Sequence, residues 1–157
     1  MRIGHGIVCA QRTQATKLVL GGVYLEPGFG LAIMNDGDLL LAAVGDALAG
    51  AAGLGNFVSL YDLTSPDFKH ASTRSLLQML ATSLRGKGLR AVNLDISLCG
   101  RDLTFNAYRD DMQASIADAL GIDATRINLK LSGALLLPAR NDSDVLALAT
   151  ALLDDEH

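Results

Sequence analysis

The run from Ala42 to Gly53 constrains this chain more than any other segment, being almost wholly Ala and Gly broken by Val44, Asp46 and Leu48. Leu41, Val44 and Leu48 recur at helical spacing, so the run reads as a helix that starts at Asp38. Side chains this small let a neighbouring backbone come close to the helix. Asp36 and Asp38 flank Gly37 at the helix entrance, where carboxylates cap exposed N–H groups and suit the helix dipole. Asp46, placed mid-helix, is expected to hydrogen-bond within the subunit, with His5 as a candidate partner.

The remaining elements follow from period and punctuation. The first ten residues and Lys17 to Leu25 predict two paired strands, joined by a polar turn around Arg12 to Ala15 and closed by Pro27-Gly28. A second helix is predicted from about Thr73 to Arg85, with Leu76, Leu77, Leu80 and Leu84 on one face and Gly86 and Gly88 ending it. Val92, Leu94, Ile96 and Leu98 alternate with Asn93, Asp95 and Ser97 as in a half-buried strand. A helix from about Asn106 to Leu120 aligns Met112, Ile116 and Leu120 before a C-cap at Gly121. Ile127, Leu129 and Leu131 alternate again, and a last helix from about Asp142 to Leu153 aligns Val145, Leu148 and Leu152. Four strands and four helices imply an α/β (α+β) sandwich, a four-stranded sheet covered on one face by helices. Residues 1–157 are expected to form a single domain.

Half of the residues are apolar and only 19% are charged, which suggests subunit interfaces on a small domain. The net charge of −4 comes with 13 scattered basic residues, and Trp is absent, which argues against binding a nucleic-acid phosphate backbone and against a stacking platform for bases. Nucleic acid is not an expected partner. Cys9 and Cys99 lack metal-type or redox-type spacing and read as buried thiols. No leader pattern and no membrane-length apolar run is seen, and a cytoplasmic protein without a membrane partner is expected.

Several motifs stand together along the chain. They are Met1-Arg2-Ile3-Gly4-His5-Gly6, Gly21-Gly22-Val23, Asp36-Gly37-Asp38 leading into Gly45 to Gly55, and Pro66-Asp67-Phe68-Lys69. From Met1 to Lys130 the chain resembles the 2-C-methyl-D-erythritol 2,4-cyclodiphosphate synthase family, isoprenoid-pathway enzymes that close a cyclic diphosphate with loss of CMP. The resemblance implies a homotrimer whose sheets face the threefold axis, with active sites between neighbouring subunits.

It also implies a site whose usual chemistry is altered here. The family holds a divalent metal with an Asp and a His two residues apart on the first strand and a His on the first helix; the matching positions are Val8, Ala10 and Ala42. None has a donor atom, so no metal ligand and no cofactor is expected. The carboxylate for a second metal corresponds to Leu135, in Ser132-Gly133-Ala134-Leu135. The His-Ser pair beside the diphosphate corresponds to Met34-Asn35 and the ribose-binding Asp to Asn56. The diol-gripping stretch corresponds to Asp62-Leu63-Thr64-Ser65, and the cytosine loop to Gly100-Arg101-Asp102-Leu103-Thr104. Asp38 and Lys69 are retained.

The expectation from these positions is a metal-free homologue that has lost the parent reaction. It would bind or act on a less polar small molecule in the inter-subunit cavity, with no catalytic residue assignable. That cavity would be lined by Val8, Ala10, Met34, Asn35, Asp38, Ala42, Asn56, Leu63, Lys69, Gly100, Arg101, Ser132 and Leu135. An enzyme on this framework would be a phosphorus–oxygen lyase or a repurposed cyclase. Two alternatives stay open: a CMP-releasing cyclodiphosphate synthase with displaced ligands, and a non-catalytic structural or partner subunit.

Overall fold

The computed structural model describes residues 1–155 apart from 16, 34, 102, 104 and 133–143. Strand β1 (Arg2–Thr13) alternates as a strand must, with Gly4, Gly6 and Ala10 turned inward and buried while Ile3 (74% exposed) and Ile7 (58%) face outward. Helix α1 (Leu39–Ala51) lies directly on the inward face. A Cβ added at Gly4 would stand 2.1 Å from the Ala47 carbonyl oxygen, and one at Gly6 would stand 2.1 Å from that of Ala43. The Ala and Gly run of the sequence is thus explained by backbone contact with β1.

Leu18–Leu20 and Val23–Leu25 form β2 and β3, an antiparallel hairpin whose two-residue turn has φ of 60° at Gly21 and 77° at Gly22. Positive φ at both turn residues matches the twist of a tight hairpin and favours glycine. This corrects the expected pairing of residues 17–25 with the first ten. The reversal closes within that segment, while β1 pairs instead with β4 (Gly30–Leu31) and with a strand from the end of the chain.

Helix α2 (Thr73–Gly86) buries Leu76, Leu77, Leu80 and Leu84, the predicted face. Strand β5 (Leu89–Gly100) follows, then a short 3-10 turn over Asn106–Tyr108 and α3 (Arg109–Leu120), which ends at Gly121 in the left-handed conformation (φ 70°). Strand β6 (Ile127–Ser132) runs parallel to β5.

The last predicted helix is instead strand β7 (Asp144–Asp155), with residues 142 and 143 outside the described residues. It pairs antiparallel with both β1 and β5, giving a five-stranded sheet in the order β4-β1-β7-β5-β6. Val145, Leu148 and Leu152 satisfy a helical period, but Val145, Ala147, Ala149, Ala151 and Leu153 alternate inward and are buried, and burial decides the outcome. The described residues therefore hold three α-helices, all on one face of the sheet.

On the opposite face, the β1–β7 half presents Ile3, Ile7, Leu146, Leu148 and Leu152. The β5–β6 half is polar, with Asp95 accepting from Lys130 Nζ at 2.6 Å and from Asn128 at 2.8 Å. Both cysteines lie on this face, flanking Leu146 across the sheet; Cys9 is exposed and Cys99 half-buried, which corrects the expectation of buried thiols. Among the described residues no helix is long and apolar enough to cross a membrane.

Candidate functional site

The Asp-Gly-Asp motif organises the entrance to the helix layer. Asp38 is the N-cap of α1, and its carboxylate accepts from Leu41 N at 3.0 Å, Gly21 N at 3.0 Å and Gly22 N at 2.7 Å. One side chain thus fixes both the helix start and the β2–β3 turn. Burial pushes its carboxyl up to about 7; the N–H groups of Leu41, Gly22 and Gly21 pull the other way, and the charge of Asp36 adds to the rise. Asp36 reaches across to the start of α2, accepting from Thr73 Oγ1 at 2.6 Å and Thr73 N at 3.2 Å. The predicted capping role is present, and it couples two helix N-termini to a hairpin.

Behind this frame lies a cavity of about 220 Å³. Val8 and Ala42 line it together, so strand and helix present these two side chains to one space, and Asn35, Asp38 and Leu63 border it as well. The sequence did not point to Ile33, Phe57 or Val58, which also line it. Phe57 is 1% exposed and packs edge-on against Tyr61 at 5.7 Å between ring centroids, but no periodic pattern marks the loop that carries it. Asn35, at φ 58°, donates from Nδ2 to Ala71 O at 3.0 Å, which ties the cavity rim to the loop before α2.

Asp46 accepts from Phe57 N at 2.7 Å and not from His5, correcting the expected partner. It separates this cavity from a second, more open hollow of about 380 Å³ bordered by His5, Ile7 and Asn56. Ala10 is buried on the same strand face but is not a wall of either space. Lys69 is exposed, on a turn where its N–H donates to Ser65 O at 2.9 Å. Ser65 Oγ is buried without a partner among the described residues.

The Gly100–Arg101 loop lies outside both lining sets and is tethered to β1. The Arg12 guanidinium donates to Arg101 O and stacks on the Phe29 ring at 4.3 Å. Ser132 ends β6 in register with Cys99. Met34 and Leu135 lie outside the described residues. One subunit therefore brings together Val8, Asn35, Asp38, Ala42 and Leu63, sets Asn56 in the adjoining hollow, and leaves Lys69, Gly100 and Arg101 apart.

The side chains of Val8, Ala10 and Ala42 carry no lone pair, and Val8 and Ala42 line the cavity with Ile33, Phe57, Val58 and Leu76. These residues do not fit a divalent metal at that position. Among the described residues no group of three His, Cys, Asp or Glu side chains stands close enough to hold one.

The sequence profile of the YgbB family matches residues 1–154. The chain belongs to that family. Its relatives include a 2-C-methyl-D-erythritol 2,4-cyclodiphosphate synthase from Pseudomonas syringae pv. syringae (strain B728a), 38% identical over 130 residues and 83% of each chain. A protein of the same name from Neisseria meningitidis serogroup B (strain MC58) is 41% identical over 83% of this chain and 81% of that one. Among solved structures, the bifunctional IspDF from Campylobacter jejuni superposes with a TM-score of 0.89 at 30% identity, covering 98% of this chain and 42% of that chain. A 2C-methyl-D-erythritol-2,4-cyclodiphosphate synthase gives 0.88 at 26% identity, covering 98% of this chain and 100% of that chain.

These likenesses confirm the cyclodiphosphate-synthase-like α+β fold. They overturn the expectation that the parent reaction has been lost in favour of a less polar ligand. Family members that carry the synthase name are similar to this YgbB chain over most of its length, and that similarity gives no sign of a lost cyclase reaction.

Proposed function

We propose that this chain is a cyclodiphosphate synthase of the isoprenoid pathway, releasing CMP as the cyclic diphosphate closes. The carrying observation is the identity of 38–41% over 130 residues to proteins bearing that name. Because Val8, Ala10 and Ala42 cannot ligate a metal, no step is routed through one at those positions. Neutralising a diphosphate then falls to cationic side chains and N–H donors, and the family register nominates Lys69 and Arg101 for that role. Asn35 and Asn56 supply neutral hydrogen bonds where the family uses a His-Ser pair and an acid. Their amides suit diphosphate oxygens and ribose hydroxyls.

Lys69 and Arg101 stand away from the cavity of their own subunit, which supports a site closed by a neighbouring copy. A homotrimer with the sheet faces inward meets that need and covers the apolar half formed by Ile3, Ile7, Leu146, Leu148 and Leu152. The reading treats residues 1–157 as one domain at work in the cytoplasm.

The test is CMP release from the family's cytidine-bearing methylerythritol diphosphate substrate, followed by chromatography beside one of the relatives. Release that depends on protein concentration is expected. No CMP under conditions where the relative turns over would refute the proposal.

A further inference from the structure

A hollow of about 310 Å³ opens at the far end of the helix layer, and it shares no lining residue with the candidate site. Leu48 marks the separation: it lies six residues beyond Ala42, or about 9 Å along α1. The floor is apolar, made by Leu48, Ala81, Leu84 and Leu89, with Ile122 on the wall. The rim carries Arg85, Arg90 and Arg126 against a single acid, Asp123. A cavity of this size falls within the range of small-molecule sites, about 300–1,000 Å³.

The three guanidinium groups are held in different ways. Arg85 donates to Leu120 O at 3.2 Å, at the C-terminal end of α3, and to Thr82 Oγ1 at 3.2 Å. Arg126 donates to Val92 O at 3.2 Å, where β5 bulges between Ala91 and Asn93. Each such bond uses one N–H and fixes the fork, leaving the other donors free to serve an anion. Arg90 is exposed, and its side chain makes no hydrogen bond or ion pair among the described residues. Its cross-strand neighbour Asp154 is engaged by the Met1 amino group at 3.1 Å.

Asp123 offsets only one of the three positive charges. Its carboxylate is taken up by Thr125 N at 2.8 Å and Thr125 Oγ1 at 2.7 Å, and those bonds hold its pKa below the ordinary value, with Arg126 adding to the effect. Three cations around an apolar floor, in a chain of net charge −4, call for an oxyanion attached to something apolar.

We propose that this hollow is a second binding site, for an amphipathic anion with a phosphate head on the three arginines and a short apolar chain over Leu48, Leu84 and Leu89. A dianionic phosphate matches the excess of cations better than a carboxylate, and guanidinium forks bind it bidentately.

Isothermal titration with octyl phosphate, octanoate, inorganic phosphate and octanol tests this on the full chain. Octyl phosphate is expected to bind saturably and more tightly than the other three. Arg90→Gln, at an exposed position whose side chain holds nothing in the fold, is expected to weaken it about tenfold, the loss of one charge-assisted hydrogen bond. Arg126→Gln is expected to act in the same direction, and the remote control Lys17→Gln to leave binding unchanged.

No saturable octyl phosphate binding would overturn the proposal. So would unchanged affinity in Arg90→Gln, or equal weakening by Lys17→Gln, which would mark a general charge effect. Octanoate binding as tightly as octyl phosphate would overturn the choice of head group.

Discussion

Asp38 offers the sharpest test of how the site frame is held. Its carboxylate satisfies Leu41 N, Gly21 N and Gly22 N, three donors from two separate elements. Asp38→Ala removes an N-cap, which costs about 1 kcal/mol. It also leaves two turn N–H groups without acceptors in a buried place, at about 1–3 kcal/mol each. The sum is about 3–7 kcal/mol, a large part of the roughly 5–15 kcal/mol that stabilises a domain.

The sign of the pH dependence follows from the pKa, raised from 3.8 to about 7. Between those values the folded chain keeps a proton that the unfolded chain has released, so the stability contributed by Asp38 declines as pH rises through this window. The neutral carboxyl still accepts, because its carbonyl oxygen serves Gly21 and Leu41 while the hydroxyl oxygen keeps a lone pair for Gly22. Urea unfolding followed by far-UV circular dichroism is therefore expected to show a greater cost for Asp38→Ala at pH 5 than at pH 8. Asp38→Asn should lose less, since its oxygen still accepts, although its amide faces a donor. A cost below about 1 kcal/mol at pH 5 would refute the bridging role, being less than one lost cap. A cost that grows toward pH 8 would refute the titration argument.

Two further outcomes are expected. Gly6→Ala places a methyl 2.1 Å from the Ala43 carbonyl oxygen and should lower stability by about 1–3 kcal/mol or more in thermal melts, whereas Gly86→Ala, with nothing within 4 Å, should cost nothing; equal melting of the two variants would contradict close packing of α1 on β1. Ile7→Asp, on the outward apolar strip, should convert the proposed homotrimer to monomers by light scattering, and a wild-type protein already monomeric at micromolar concentration would refute that assembly.

Local chemistry was legible in the sequence where neighbours along the chain settle it. Asp38 as a helix start, the buried leucine face of α2 and the left-handed Gly121 all depend on residues within a turn or two. The Ala and Gly run announced a close approach, but only the structure showed that Gly4 and Gly6 are its counterparts. The helical period over residues 142–153 does not decide the structure of residues 144–155, because Leu and Ala satisfy either period. Their identity as a strand is decided by β1 and β5 on each side, which supply hydrogen bonds that no local pattern encodes.

The site divides in the same way. Val8 and Ala42 were paired through the family register, whereas Ile33, Phe57 and Val58 reached the same cavity through loops without periodicity. Arg85, Arg90 and Arg126 were only scattered charges until the end of α2 and the starts of β5 and β6 brought them to one rim. The sequence by itself determined caps, periods and family, because these need only neighbouring atoms or matched motifs. Tertiary structure alone decided strand pairing and which distant side chains share a cavity, because those depend on burial and on backbone partners far away along the chain.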